Sequence, residues 1–355
     1  MKPTTSLLKD LRHHSLFWPV VALLLIMLFN LLFTPGFFRL EIKDGHLFGS
    51  LVDILNRGAP LMLLAIGMTM VIATAGVDLS VGAIIAIAGA AAAVLINPAL
   101  GRELVTSDKL IEDVTQTPLW LVILIPLIAA TVCGLWNGIL VSRANIQPMV
   151  ATLVLMVAGR GIAQLITNGQ IITIYYSPYF YIGGGYLFGL PFSLYIVAAV
   201  FLFAWYISRK TSVGLFVESV GTNASSSFYS GINEKNVKLL AYIFCGFCAG
   251  IAGLLISSNV KSADANNAGL WSELDAILAV VIGGTLMSGG RFSLVGSILG
   301  ALIIQSMTTT IYAFGVPPEV VLVVKALVVL AVVLLYSELV KVSMDKLFEQ
   351  KGVQP

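Results

Sequence analysis

Few residue patterns in this chain could carry phosphate, thiol or acid–base chemistry. No Gly-x-x-x-x-Gly-Lys-Ser/Thr sequence occurs, nor any Gly-Lys pair, so the backbone cradle of a P-loop ATPase is missing. Gly183-Gly184-Gly185 sits among Tyr175, Tyr176, Tyr179, Tyr181 and Tyr186 without a strand-then-helix context, and reads as a flexible or partner-contacting loop rather than a nucleotide site. Cys245-Gly246-Phe247-Cys248 has thioredoxin-like spacing, but a redox pair needs a partly exposed thiol at a helix start. An apolar run surrounds it here, so buried structural cysteines are expected. His13, His14 and His46 have no matching nucleophile and acid. Three cysteines and three histidines are also too few for a disulfide framework or a histidine-rich metal site.

The informative residues are polar groups inside apolar runs, because an ionisable side chain at the bilayer centre costs about 2.5 to 3.5 kcal/mol on insertion scales. Arg160 falls in the middle of one run, with Gln164 one turn on along the same helical face. It should face the bundle interior and find acceptors, as either a hydrogen-bond anchor or a pathway residue. Asn137, Asp275 and Gln305 carry the same two readings, and Lys325 can extend its amine to an interface. Asp78 follows Gly76 between two short apolar segments, where its carboxylate is expected to cap the second.

The elements that must hold these residues are membrane helices. The chain has 355 residues, 58% hydrophobic and 11% charged, with a net charge of +2 and a mean hydropathy of +0.96. This excludes an ordinary soluble domain and offers no basic surface for nucleic acid. Apolar segments run at about 17–33, 55–75, 79–97, 119–141, 148–168, 190–207, 239–258, 272–287, 293–313 and 320–336, each near the roughly 20 residues that a span needs. The expected fold is all-α and polytopic, with about ten transmembrane helices, broken or re-entrant near 55–97 and 272–313. The first run ends in Thr34-Pro35-Gly36 without a small-x-small cleavage site and reads as an uncleaved anchor.

Sidedness follows from the basic residues. With the N-terminus inside, twelve of the 20 Lys and Arg fall in the cytoplasm, six fall outside, and Arg160 and Lys325 lie within spans. Both termini are then cytoplasmic, with tails at 1–16 and 337–355 around a membrane domain at 17–336. The loop at 98–118, with Glu103, Asp108, Glu112 and Asp113, reads as a solvated outer loop. The longest cytoplasmic insert is 208–238, with Gly214, Gly221 and Gly231 around a potential short helix at 222–229. So short a helix needs a docking partner; the other reading is a solvated loop. Gly76-Val77-Asp78-Leu79-Ser80-Val81-Gly82 echoes Gly289-Gly290-Arg291-Phe292-Ser293-Leu294-Val295-Gly296 with one residue inserted. This is either an internal repeat or a chance match in a Gly-, Ser- and Val-rich chain.

Two longer stretches carry a resemblance. The run from Ala65-Ile66-Gly67-Met68-Thr69 through Gly76-Val77-Asp78-Leu79-Ser80-Val81-Gly82, and Glu273-Leu274-Asp275-Ala276-Ile277-Leu278-Ala279 followed by Gly289-Gly290-Arg291, resemble the permease subunits of monosaccharide ABC importers, the ribose, xylose and galactofuranose group. Residues 263–271 look most like the galactofuranose permease. The resemblance implies a bacterial inner-membrane permease that pairs with a second copy or paralogue, an ATPase with two nucleotide sites, and a periplasmic sugar-binding protein. It places no cofactor in this chain, with ATP and magnesium on the partner ATPase. It also implies that the insert docks on that ATPase: Gly221, Thr222, Asn223, Ala224 and Gly231 match the family's docking segment, while Ser225-Ser226-Ser227 stands where Arg and two Ala are usual. An ion-coupled secondary sugar transporter and a membrane enzyme or scaffold are the rival readings.

Overall fold

In the computed structural model of the protein, the described residues are 16–43, 45–97 and 117–317, with 320, 322–324, 326, 327 and 330 beyond them. Lys325, the loop at 98–116 and most of both predicted tails lie outside the described residues.

The chain builds α1 (Phe17–Phe33), a β1–β2 hairpin (Glu41–Lys43 and His46–Phe48), α2 (Ser50–Ala73), α3 (Val81–Ile96), α4 (Leu119–Ser142) and α5 (Pro148–Ile166). Next come β3 (Ile172–Thr173), α6 (Ser177–Gly184), the β4–β5 pair (Tyr186–Leu187 and Leu190–Pro191), α7 (Phe192–Lys210), α8 (Ser212–Thr222) and α9 (Ala224–Tyr229). The described elements close with α10 (Glu234–Val260), β6 (Ser262–Ala263), α11 (Ser272–Ile282) and α12 (Leu294–Ala313). Strand pairs are short and antiparallel, β3 joining β6 across the sequence. Every predicted apolar segment coincides with helix, the last at its described positions.

Six of the described helices, α2, α4, α5, α7, α10 and α12, are long and apolar enough to cross a membrane. With α1 and α3 at 17 and 16 residues, the protein is an all-α polytopic membrane protein. The expected interruptions are sharply placed. Helix α2 runs unbroken through Pro60, and the break falls at 74–80. Helix α11 has 11 residues, about 16 Å at 1.5 Å per residue, only half the apolar thickness of about 30 Å.

The bundle is organised around α10, which packs along α2, α3 and α4. Contact with α4 is set by two small-residue stripes, Gly134 with Gly138 and Gly246 with Gly250, each pair one helical turn apart. A side chain at Gly134 would strike the Tyr242 carbonyl and crowd the Gly246 Cα, so only glycine permits this approach. Helices α2 and α12 pack together and enclose much of the buried apolar core with α10. By contrast α4 and α5 leave Trp120, Val132, Trp136, Val157 and Leu165 exposed, the apolar outer faces expected where helices meet lipid. Helices α8 and α9 sit at one end of the bundle, called here the insert end, and the β3–β6 pair at the other.

Candidate functional site: a backbone junction and a buried polar layer

At the insert end, local capping fixes two short helices. Thr211 Oγ1 accepts the Val213 N–H (3.3 Å) to start α8, and Asn223 Oδ1 accepts the Ser226 N–H (3.0 Å) to start α9. Ser219 Oγ and Ser227 Oγ hydrogen-bond at 2.8 Å, and Ser227 Oγ donates to the Asn223 carbonyl at 2.9 Å, fastening α9 onto α8. The insert thus holds two helices where the sequence suggested one. Its serine run faces inward at Ser227, while Phe228 and Tyr229 are 63% and 87% exposed. Ala224 is half-buried and Thr222 exposed, with Thr222 Oγ1 donating to the Glu218 carbonyl at 2.8 Å.

Beneath α8 the two echoing turns meet. The Gly290 N–H donates to the Ala73 carbonyl at 2.9 Å, and a side chain at Gly221 would strike both of those backbone groups. Gly289 and Gly290 have φ of +84° and +94°, a left-handed conformation that glycine adopts without steric cost. One turn deeper, Thr69 Oγ1 and Ser297 Oγ lie 2.6 Å apart, tying α2 to α12. Gly221 is helical, and its role is close approach. Gly231, with φ +85°, is a genuine turn glycine, and Arg291 is exposed beside the junction.

Asp78 and Asn137, separated in the sequence by 59 positions, share one buried knot. Asp78 Oδ1 accepts the N–H and Oγ–H of Ser80 at 2.9 and 2.7 Å, and Asn137 Nδ2 donates to Ser80 Oγ at 2.8 Å and more weakly to Asp78 Oδ1 at 3.4 Å. Ser80, not Asp78, occupies the position that starts α3, which corrects the expectation that the carboxylate caps this helix: it orients the residue at the cap instead. Tyr242 donates to the Val77 carbonyl at 3.1 Å. Its hydroxyl lies 2.7 Å from where a Gly76 side chain would be, while Ala75 takes the left-handed turn. Cys245 and Cys248 are free and fully buried against Gly67.

Toward the opposite end, α5 holds the segment at 264–271. Arg160 Nη1 donates to the carbonyls of Ala265 and Ala268 at 3.1 and 2.6 Å, and Gln164 Nε2 donates to Asn266 Oδ1 at 2.6 Å. Asp264 accepts from the backbone of Asn266 and Asn267 and from Asn267 Nδ2, the last at 2.7 Å. Desolvation pushes its carboxyl up, but the hydrogen bonds from Asn267 and Asn266 and the nearby Arg160 together outweigh it and hold the carboxyl below the usual range.

Residues 137, 160, 164, 275 and 305 therefore form no single constellation. Arg160 and Gln164 grip one loop, Asn137 belongs to the Asp78 knot, and Asp275 stands in the first turn of α11. Gln305 donates to Thr309 Oγ1 at 3.3 Å, its stem packed beside Gly58. The sequence reading missed Glu273, 3% exposed against Gly82 and Gly269, and Asn30, whose Nδ2 donates to Thr310 Oγ1 at 2.7 Å. A lone Asn in an apolar run was the available signal for Asn30. The triple-glycine segment, read as a flexible or partner-contacting loop, is largely the end of α6, with Gly183 closely packed against Leu255 and Asn259 of α10.

The described residues thus form an all-α membrane bundle whose interrupted helices meet beneath a helical insert. Residues 50–333 match the family model described as the branched-chain amino acid transport system / permease component, and the chain belongs to that family. It is 49% identical to the galactofuranose transporter permease protein YtfT of Escherichia coli (strain K12), over 90% of this chain and 91% of that one. It is 37% identical to the fructose import permease protein FruF of Bifidobacterium longum (88% and 85% covered) and 34% identical to the ribose import permease protein RbsC of Haemophilus influenzae (88% and 90% covered). No solved structure matches the chain.

Proposed function

We propose that this chain is the permease subunit of an ATP-driven importer, carrying a monosaccharide of the galactofuranose, pentose or hexose kind across the inner membrane of a bacterium. The relatives support the sugar class, since three similar full-length proteins are named for galactofuranose, fructose and ribose. On this reading the insert end is cytoplasmic, both termini lie on that side, and a periplasmic binding protein delivers the sugar at the other. An ATPase with two nucleotide sites supplies the energy, holding the ATP and magnesium, and a second permease copy or paralogue completes the path.

One observation carries the coupling reading: the insert touches both interrupted helix pairs through Gly221 while presenting Phe228 and Tyr229 outward. A body that grips the exposed aromatics of α9 can pull or tilt α8, and the Ala73–Gly290 contact passes that motion to α2 and to the α11–α12 turn. Gly221, Thr222, Asn223, Ala224 and Gly231 form the coupling element. Arg160 and Gln164 belong to the pathway side, and Asn137 with Asp78 to the framework.

The test is uptake of radiolabelled D-galactose, D-fructose and D-ribose by cells expressing this chain and its partner subunits, with and without the ATPase. Uptake that vanishes with the ATPase and survives a collapsed ion gradient supports the reading. The reverse pattern establishes a secondary transporter.

A further inference from the structure

We propose that the segment at 264–271, with Arg160 and Gln164, is a sugar-contacting station on the translocation path; this deepens the import reading and rests on it. After α10 the chain pairs β6 with β3 and then turns back into the bundle. Gly269 reaches the first turn of α3, where its missing side chain would stand 2.7 Å from the Gly82 carbonyl. Gly82 lies fourteen residues before the far end of α3, about 21 Å along its axis. Arg160 lies six residues before the same end of α5 at Ile166, about 9 Å along its axis. Non-helical backbone with exposed amides at such depth is tolerated only where protein covers it or water lines it.

The side chains here are not covered within the described chain. Asn266 and Asn267 are exposed and Trp271 is 48% exposed. Their hydrogen-bonding capacity is only partly spent. Arg160 uses Nη1 on two carbonyls, and among the described residues its Nε and Nη2 have no hydrogen-bond partner. Gln164 Nε2 occupies Asn266 Oδ1, leaving Gln164 Oε1 to accept and Asn266 Nδ2 to donate. Asn267 gives its amide N–H groups to Asp264 and keeps Oδ1. Planar donors and acceptors fixed side by side suit vicinal hydroxyls, each of which both donates and accepts. The Trp271 ring offers an apolar face for the C–H side of a sugar. Charge discriminates further: Asp264 and Glu273 both act electrostatically on Arg160. Two acidic neighbours disfavour the free carboxylate of an amino acid here, which fits a neutral sugar.

The experiment uses the full complex in proteoliposomes with its ATPase and binding protein. Asn266→Cys is placed in a background with Cys133, Cys245 and Cys248 changed to Ala. A membrane-impermeant thiol reagent should modify it, and modification should slow when whichever of D-galactose, D-fructose or D-ribose drives wild-type uptake is added. Asn266→Ala should lower uptake at sub-saturating sugar about tenfold, the size of one lost hydrogen bond, with the complex still assembled on size exclusion. Absence of protection, or uptake unchanged in the alanine variant, overturns the station while leaving the import reading intact. A wild-type complex that carries none of these sugars defeats the import reading and the station with it.

Discussion

The N–H of Gly290 donates to the carbonyl of Ala73 at 2.9 Å, joining the turn after α11 to the end of α2 across more than half the sequence. Gly221 of α8 lies against both partners, leaving no room for a side chain. Three segments thus share one backbone contact, and a displacement of the insert cannot leave either interrupted helix pair undisturbed.

Gly221→Val should wedge this contact apart, at an overpacking cost of about 1 to 3 kcal/mol. Expected are a lower melting temperature of the purified permease and loss of sugar-stimulated ATP hydrolysis in the complex. Gly161→Ala, where nothing lies within 4 Å, is the control. It should be neutral or stabilising by about 0.5 to 1 kcal/mol, because alanine loses less backbone freedom in a helix.

Docking through α9 can be broken in two physically different ways. Ser226→Pro removes the N–H that Asn223 Oδ1 accepts at the start of α9, whereas Ala224→Glu adds a bulky charge on a half-buried position. Both variants should insert and remain monodisperse while sugar-stimulated ATP hydrolysis disappears. Wild-type stimulation in both would move the coupling role to the exposed turn at Arg291.

Arg160→Ala should free the Ala265 and Ala268 carbonyls, at about 1 to 3 kcal/mol for each acceptor left unpaired. Transport and thermal stability should both fall. Arg160→Lys should rescue only in part, since an ammonium lacks the planar fork that reaches two carbonyls at once. Full uptake by the alanine variant would show that the loop keeps its place without this anchor.

In the Asp78 knot, the hydrogen bonds from Ser80 and Asn137 all end on Oδ1, and Oδ2 accepts none of them. Asp78→Asn should therefore retain or raise the melting temperature, because it keeps the accepting oxygen and removes a buried charge. Asn137→Ala should lower stability by about 1 to 3 kcal/mol, leaving Ser80 Oγ without its donor. A large loss in Asp78→Asn would mean that the negative charge itself is required.

Sidedness is open to direct labelling. In the cysteine-free background, Asn223→Cys should react only from the cytoplasm, and Phe188→Cys, 91% exposed at the opposite end, only from outside. Reaction of Asn223→Cys from outside would invert the topology drawn from the basic residues.

Composition and periodicity by themselves determined that this is an all-α membrane chain, because roughly 20-residue apolar runs have only one economical way to satisfy their backbone in lipid. They also located the interruptions near Asp78 and Gly289, where glycine and polar residues break the runs, and singled out Arg160 in mid-span, as anchor or pathway residue, with Gln164 beside it. What they could not supply is distance across the chain. The echo of the two turns was visible in the letters, but only the packing of α2 beside α12 brings Ala73 to Gly290 and seats Gly221 on both. Asp78 read as a cap because its carboxylate precedes a helix, yet the packing of α3 on α4 brings Asn137 to Ser80 and makes the carboxylate part of a knot. Hydrophobic patterning is local and records which residues avoid water, whereas these contacts depend on helix crossings set by small residues on different helices. Only the tertiary structure decided which buried polar groups meet.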